Sequence, residues 1–343
     1  MAELRAPFPY FGGKRRAAPI IWEALGDPAG YVEPFAGSLA VLLARPTFTG
    51  RRVETVNDLD GWLVNAWRAI QLDPSGVAAH AWGPVTEIDY HARLAWLQAR
   101  RGDDLVSWLE GDPEAHDAKA AGWWLYVMAC GIGDPFGSGP WVVSDGRLVK
   151  SSSGGGVNRE LPHMGTAGQG INRELPHLGD AGRGVAREIP HLGNAGRGVH
   201  RGSGGASDLA AYLSRLAARL QRVRITCGSW ERVVQPSVHR AGAGGDGTRA
   251  VFLDPPYTTS PDLYAAGGDG VSEAVEEWCV SASSGLRIVL AGYVGEHNRL
   301  EEIGWRVVQG AAGGGAGYST DGAAGRRERL WLSPGCVGQV GLW

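Results

Sequence analysis

Cysteine is scarce in this chain of 343 residues, which contains only Cys130, Cys227, Cys279 and Cys336. No two of them form a Cys-x-x-Cys pair, which argues against a zinc site and against a disulfide framework. No apolar run reaches the roughly 18–20 residues that a membrane span needs, and the first residues lack a signal-peptide pattern. We therefore expect a cytoplasmic protein, away from the membrane and without a metal site.

A large excess of charge is also missing, because the formal net charge is −3. The distribution is uneven, however: the segment from Arg147 to Arg249 holds fifteen Lys or Arg against seven Asp or Glu. Such a segment can form a basic surface for phosphates, which the acidic remainder hides in the total. Ordinary charge fluctuation in an arginine-rich chain is the alternative.

Both ends of the chain alternate between strand and helix patterns. Buried strands are expected at Tyr31–Phe35, Arg52–Asn57 and Ala250–Asp254, each followed by a turn and a helical pattern, which predicts an α/β sheet with helices on both faces. The middle of the chain is helical by period and then rich in glycine. We predict one sheet domain formed by residues 1–74 and 245–343, with residues 75–244 as an insertion.

A 14-residue repeat occupies residues 156–197 of this insertion. Each full copy contains an Arg-Glu-hydrophobe-Pro-His core, which begins at Arg159, Arg173 and Arg187 in turn. Three glycine-rich copies are too few for a familiar solenoid. These arginines are candidates for contact with phosphates or guanine edges, and a low-complexity expansion without a role is the alternative. Deletion of residues 156–197 would separate the two: unchanged DNA affinity and sequence preference would reject a DNA-binding arm.

The strongest chemical signal is Asp254-Pro255-Pro256-Tyr257, at the carboxyl end of a strand, where ligands bind in open α/β sheets. An exocyclic amine is a poor nucleophile because its lone pair is delocalised into the ring. Asp254 and a peptide carbonyl beside the prolines can accept its N–H groups, and Tyr257 offers a ring on which a flipped base can stack. A plain Pro-Pro turn with a solvated aspartate is the alternative.

Three further segments have the features of a small-molecule site. Glu33-Pro34-Phe35-Ala36-Gly37-Ser38 lies between a strand and a helix, where Gly37 allows a ligand to approach the backbone. Asp58 ends the next strand and can accept hydrogen bonds from ribose hydroxyls, with Asp60 as a competitor and a helix cap as the alternative. Tyr10 can stack on a ring or a sulfonium, and Lys14 can meet a carboxylate.

Together, Tyr10–Lys14, Glu33–Gly37, Asn57-Asp58 and Asp254–Tyr257 resemble the Dam-type family of DNA adenine-N6 methyltransferases. The resemblance covers about residues 7–72 and 250–335. It implies a Rossmann-like sheet, S-adenosyl-L-methionine as cofactor and double-stranded DNA as partner, with residues 75–244 as the target-recognition region. It also implies direct methyl transfer to N6 of an extruded adenine.

The resemblance assigns roles residue by residue. It implies that the methyl donor is bound by Tyr10, Lys14, Glu33, Phe35, Gly37, Asp58 and Asp254, and that the adenine is held by Asp254, Pro255, Pro256 and Tyr257. Many relatives have a small residue where this chain has Leu39, which is expected to narrow the donor loop slightly. The segment Glu328–Pro334 also looks like phage-borne enzymes.

Several alternatives stay open. Cytosine N4 is an amine of similar chemistry, and a catalytically silent DNA-binding relative would keep the same fold. An RNA substrate is a weaker option, because no RNA-binding motif is seen. We expect a monomer; the recognition sequence and the setting, whether restriction–modification or a solitary bacterial or phage enzyme, are left open. The whole interpretation requires that Asp254 and Gly37 line one cleft.

Overall fold

The computed structural model describes residues 4–10, 13–46, 52–100, 103–131, 136, 141–144, 147–150, 206–235, 247–256, 270–282, 285–309 and 328–337. Of 103, 141–144 and 147–150 it describes only the backbone. The strands are β1 (Gly30–Glu33), β2 (Val53–Asp58), β3 (Trp141–Ser144), β4 (Arg147–Lys150), β5 (Val223–Cys227), β6 (Arg249–Leu253), β7 (Leu286–Tyr293), β8 (Arg306–Gln309) and β9 (Glu328–Leu332).

The helices are α1 (Ala18–Leu25), α2 (Ala40–Leu43), α3 (Gly61–Leu72), α4 (Pro74–Ala81), α5 (Glu87–Gln98), α6 (Asp103–Gly111), α7 (Ala118–Cys130), α8 (Ala206–Leu220), α9 (Val271–Ser281) and α10 (Asn298–Glu302). Side chains that accept backbone N–H groups begin four of them: Asp60 at α3, Asp73 at α4, Thr86 at α5 and Asp117 at α7. None of the helices within the described ranges is long and apolar enough to cross a bilayer.

Seven strands form one sheet in the order β5-β2-β1-β6-β7-β9-β8, in which β9 runs antiparallel to both neighbours and the other pairs are parallel. Buried apolar residues pack on both faces. One cluster holds residues of α1, α3, α4, α7 and α8, and the other holds residues of α9 and α10. The predicted α/β fold of the Rossmann-like type, a mostly parallel sheet between helical layers, is confirmed.

The order of the strands creates a crevice between β1 and β6. From β1 the chain moves outward to β2 and later to β5, and then returns to the other side of β1 as β6. Loops that leave two neighbouring parallel strands in opposite directions open a crevice at the strands' carboxyl ends. Here those ends are Glu33 and Leu253. Glu33 begins one predicted site segment, and Leu253 directly precedes Asp254, which begins another.

The edge strand β5 lies within residues 75–244, the range predicted as an insertion. It pairs with β2 from Glu54↔Val223 to Asp58↔Cys227, so this range contains one strand of the central sheet. Helix α8, just before β5, is also tied to the sheet, because Arg219 donates to both carboxylate oxygens of Glu54 on β2 at 2.8 and 3.0 Å. We therefore propose a narrower insertion that ends before α8.

Candidate active site

Lys14 connects two distant strands at the carboxyl edge of the sheet. Its Nζ lies 2.9 Å from an oxygen of Asp254, directly after β6, and 3.0 Å from an oxygen of Glu328, at the start of β9. Only 6% of the Lys14 side chain is exposed, against 17% for Asp254 and 14% for Glu328. The Lys14 ammonium lies between the two carboxylates and forms a charge-assisted contact with each of them. Asp254 is therefore held as a hydrogen-bond acceptor.

The glycine turn after β1 is held from two sides. The N–H of Gly37 donates to Oδ2 of Asp58 at 2.9 Å, and its carbonyl accepts from the indole N–H of Trp67 at 2.9 Å. Gly37 has a φ of 47°, and a Cβ added there would come within 2.7 Å of the Tyr10 ring. Both the backbone conformation and the close approach of Tyr10 therefore require glycine.

Asp254 and Gly37 are joined through one short segment of the chain. Tyr10 covers Gly37, and four residues later Lys14 pairs with Asp254. Glu33, at the end of β1, is close enough to Asp254 for the Asp254 charge to raise the pKa of Glu33. The structure thus brings these predicted residues together at the crevice between β1 and β6.

The two neighbouring aspartates after β2 have different partners. Asp60 caps α3 by accepting from the N–H groups of Trp62 and Leu63. Asp58 instead accepts from the N–H groups of Gly37 and Asp60. Burial raises the pKa of Asp58 to about 6, although those two hydrogen bonds act to lower it. Asp58 is therefore the better candidate for binding a hydroxyl, and Asp60 fits the alternative role of a helix cap.

Glu33 lies beneath the turn, with 2% of the residue exposed. It accepts a hydrogen bond of 2.9 Å from the hydroxyl of Tyr31. Burial raises the pKa of Glu33 to about 8, the hydrogen bond from Tyr31 lowers it, and the charge of Asp254 raises it further. At neutral pH the carboxyl of Glu33 is therefore mainly protonated, and it bonds within the protein.

Phe35, which follows Glu33 and Pro34, packs against Trp230 beyond the end of β5. The two rings are stacked, with centroids 6.1 Å apart and planes 29° apart. Trp230 is buried and belongs to the second apolar cluster, together with Val233 and Val234. Phe35 is half-buried, so the stacked pair forms an aromatic wall at one side of the turn.

Leu39 adopts a left-handed backbone conformation with a φ of 55° at the start of α2, which is uncommon for a residue with a side chain. Its side chain is fully buried in the core rather than directed into the turn. The expected narrowing of the donor loop by Leu39 therefore has no support in the packing of this residue.

Some predicted site residues lie outside the described ranges: Tyr257, and the repeat arginines Arg159, Arg173 and Arg187. Pro255 is buried and Pro256 half-buried at the end of the range that carries Asp254. The roles assigned to these residues stay predictions.

Sequence reasoning missed two residues of the site: Glu328 and Trp230. Glu328 begins β9, opposite Tyr293 of β7 in the antiparallel pair, and its carboxylate lies 3.0 Å from Nζ of Lys14. The resemblance of Glu328–Pro334 to phage-borne enzymes was the only available signal, and it named no role. Pairing between strands cannot be read from either segment alone.

Comparison with known proteins shows a similarity over part of the chain. Residues 10–86 match the model of the D12 class N6 adenine-specific DNA methyltransferases. No curated protein matches the chain. The matched range contains Tyr10, Lys14, the glycine turn and Asp58. Within this range, the match bears out the resemblance to Dam-type enzymes.

Proposed function

We propose that the chain is a DNA adenine N6-methyltransferase, which uses S-adenosyl-L-methionine as its donor and transfers the methyl group directly to an adenine flipped out of double-stranded DNA. The observation that supports this most strongly is the Lys14 ion pair with Asp254. It fixes the acceptor carboxylate beside the segment that covers the glycine turn. A donor held at the turn and an amine held at Asp254 would then face each other across one crevice.

The residues around the turn fit S-adenosyl-L-methionine. Asp58 offers a carboxylate for ribose hydroxyls, as acids at this position do in nucleotide-binding sheets. Gly37 lets the Tyr10 ring approach the turn closely, and the exposed part of that ring offers an aromatic face for a cation. In our proposal Glu33 supports the turn from below through Tyr31, and the donor contact assigned to it from the sequence falls to Phe35 instead.

When bound, S-adenosyl-L-methionine supplies an electrophilic methyl group on a positively charged sulfur. The protein's own task is to position and orient the reactants. Asp254 accepts an N–H group of the adenine N6, and the carbonyl beside Pro255 accepts the other. The lone pair of N6 is thereby directed at the methyl carbon. A carbon–nitrogen bond forms as the carbon–sulfur bond breaks, and N6 then loses one proton to solvent.

Target binding is proposed for the opposite side of the crevice. Tyr257 would stack on the flipped base, a contact worth about 1–3 kcal/mol in comparable sites. The narrower insertion and its repeat, with Arg159, Arg173 and Arg187, would contact the DNA around the target. We propose a monomer as the active form.

Incubation of the purified chain with methyl-labelled donor and duplex DNA, followed by nucleoside analysis, tests the proposal. Label in N6-methyldeoxyadenosine is the expected result. Label in N4-methyldeoxycytidine would show that cytosine N4, not adenine N6, is the methyl acceptor. Donor binding without any transfer would indicate a catalytically silent relative.

Replacement of Asp58 by asparagine tests the donor site. Hydrogen bonds to a charged group contribute about 1.5–3 kcal/mol, so Asp58→Asn should weaken donor binding about 10- to 100-fold in calorimetry. Because the pKa of Asp58 is about 6, donor affinity of the unmodified protein should fall below that pH, and the variant should lose this pH dependence.

Asp60→Asn is the matched control, since asparagine caps helices as well as aspartate does. Equal donor affinity in Asp58→Asn and the unmodified protein at pH 7.5 would contradict the assignment of Asp58.

A further inference from the structure

A row of alternating cations and aromatic rings runs across the outer surface of α5 and α7. We call it the α5–α7 row, and define it by Arg93, Trp96, Arg100, Lys119 and Trp123. The Arg100 guanidinium lies 3.7 Å from the ring centroid of Trp96, and the Lys119 ammonium lies 5.1 Å from that of Trp96 and 4.5 Å from that of Trp123. Arg93 lies 5.8 Å from the ring centroid of Trp123. The rings of Trp96 and Trp123 meet edge to face at 5.0 Å.

The cations of the row have no acidic partner. Within the described ranges, no carboxylate lies within 4.0 Å of Arg93, Arg100 or Lys119. The nearby acids are otherwise engaged, since Asp89 bonds with the Thr86 cap and Asp117 caps α7. The row therefore presents three uncompensated positive charges on a chain whose net charge is −3.

Contact with a ring does not use the hydrogen-bond donors of these cations. A cation over an aromatic face contributes about 0.5–1 kcal/mol at an exposed site, which restrains the side chain without consuming its N–H groups. Arg100 and Lys119 are exposed, and Arg93 and both tryptophans are half-buried. The Arg93 guanidinium lies 3.8 Å from the ring centroid of the buried Tyr126, and its Nη1 is buried. Arg100 and Lys119 therefore hold the donors that face solvent, as binding of an extended anion requires.

The row lies one helix away from the site. On the adjacent flank of α7, the ring of Trp124 lies 4.8 Å from that of Phe8, which lies 6.4 Å from that of Tyr10. A helix with its side chains is about 10–12 Å across, whereas one turn of duplex DNA spans about 34 Å. A duplex placed at the crevice is therefore long enough to reach the row as well.

We propose that the α5–α7 row binds the phosphate backbone of duplex DNA beside the target adenine. The inference rests on the proposed function for the identity of the polyanion. Phosphates match charged donors in a line, and the tryptophans restrain the cations and pack against the sugars. This surface is separate from the repeat arginines, and it lies in helices that pack on the core.

The double variant Arg100→Gln and Lys119→Gln tests the inference by its salt dependence. Each lost phosphate contact reduces the slope of log affinity against log salt by about 0.9, so a reduction of about 1.8 is expected for two. Fluorescence anisotropy with a labelled 30-base-pair duplex measures it, and affinity at 0.1 M salt should fall at least about tenfold. The melting temperature of the variant verifies that it folds.

The matched control is the double variant Arg222→Gln and Arg299→Gln. These arginines are exposed like Arg100 and Lys119, and they also have no carboxylate within 4.0 Å in the described part of the chain. A slope that changes equally in both double variants, or in neither, overturns the inference. If the variant loses affinity only for single-stranded DNA or RNA of the same sequence, duplex DNA is not the polyanion that the row binds. Methyl transfer at saturating DNA should persist in the row variant, so failure of the row and failure of the proposed activity are distinguishable.

Discussion

Asp254→Asn is expected to reduce kcat for methyl transfer by about 10³-fold. Asparagine has nearly the same shape, but it presents one neutral oxygen in place of the ionised carboxylate that Lys14 holds at 2.9 Å. Loss of one preorganised electrostatic contact to a reacting group costs about 10²–10³ in kcat in comparable enzymes, and the amide can also turn an N–H group toward the amine. Single-turnover transfer of labelled methyl groups to duplex DNA measures the effect.

Two comparisons make the Asp254 result interpretable. Donor affinity should change only a few-fold, because Asp58 and the glycine turn keep their contacts. Asp73→Asn is the control for the chemical change itself, since Asp73 caps α4 through the N–H of Gly76 and asparagine caps equally well. If the kcat of Asp254→Asn were close to that of the control, Asp254 would have no role in the methyl-transfer step.

Lys14→Met is expected to lower the free energy of unfolding by about 3 kcal/mol and to abolish most activity. The substitution keeps the length of the side chain but leaves the carboxylates of Asp254 and Glu328 facing each other without a cation. Removal of one partner from a buried ion pair costs about 3–5 kcal/mol, and the lower end applies because both acids are partly exposed. Urea denaturation measures the change.

The pH dependence separates this mechanism from a simple loss of packing. In Lys14→Met, protonation of one carboxyl relieves the repulsion, so the folded state of the variant binds protons more readily than the unfolded chain. Its stability should therefore rise as pH falls from 8 to 5, relative to the unmodified protein. Addition of Glu328→Gln should recover part of the lost stability at pH 8, and Lys119→Met is the exposed control. No recovery in the double variant would contradict the charge argument.

The sequence predicted the sheet and much of the site, for a local reason. Motifs at strand ends, such as the glycine turn after β1 and the acid after β6, are read from a few adjacent residues. The position of β5 at the edge of the sheet was not predicted, because it depends on pairing with β2, in which Glu54 lies opposite the sequence-distant Val223. Nothing in the pattern of residues 206–227 distinguishes a sheet strand from an element of an insertion.

Side-chain partners were predicted less well than positions. The sequence indicated that Lys14 can meet a carboxylate, and the structure gives it two, of which Glu328 was not foreseen. Glu33 was expected at the donor, and that assignment stays a prediction; the structure adds a partner that the spacing does not indicate, the hydroxyl of Tyr31 at 2.9 Å. Such contacts depend on three-dimensional packing rather than on spacing along the chain.

The place of β9 in the sheet has a consequence for synthesis of the protein. This strand is the last to be made among those described, yet it lies between β7 and β8 and supplies the second carboxylate to Lys14. At translation rates of about 5–20 residues per second, the residues between Lys14 and Glu328 take roughly 15–60 seconds to emerge. A nascent chain on the ribosome therefore carries the donor turn well before it can carry the complete Lys14 ion-pair network.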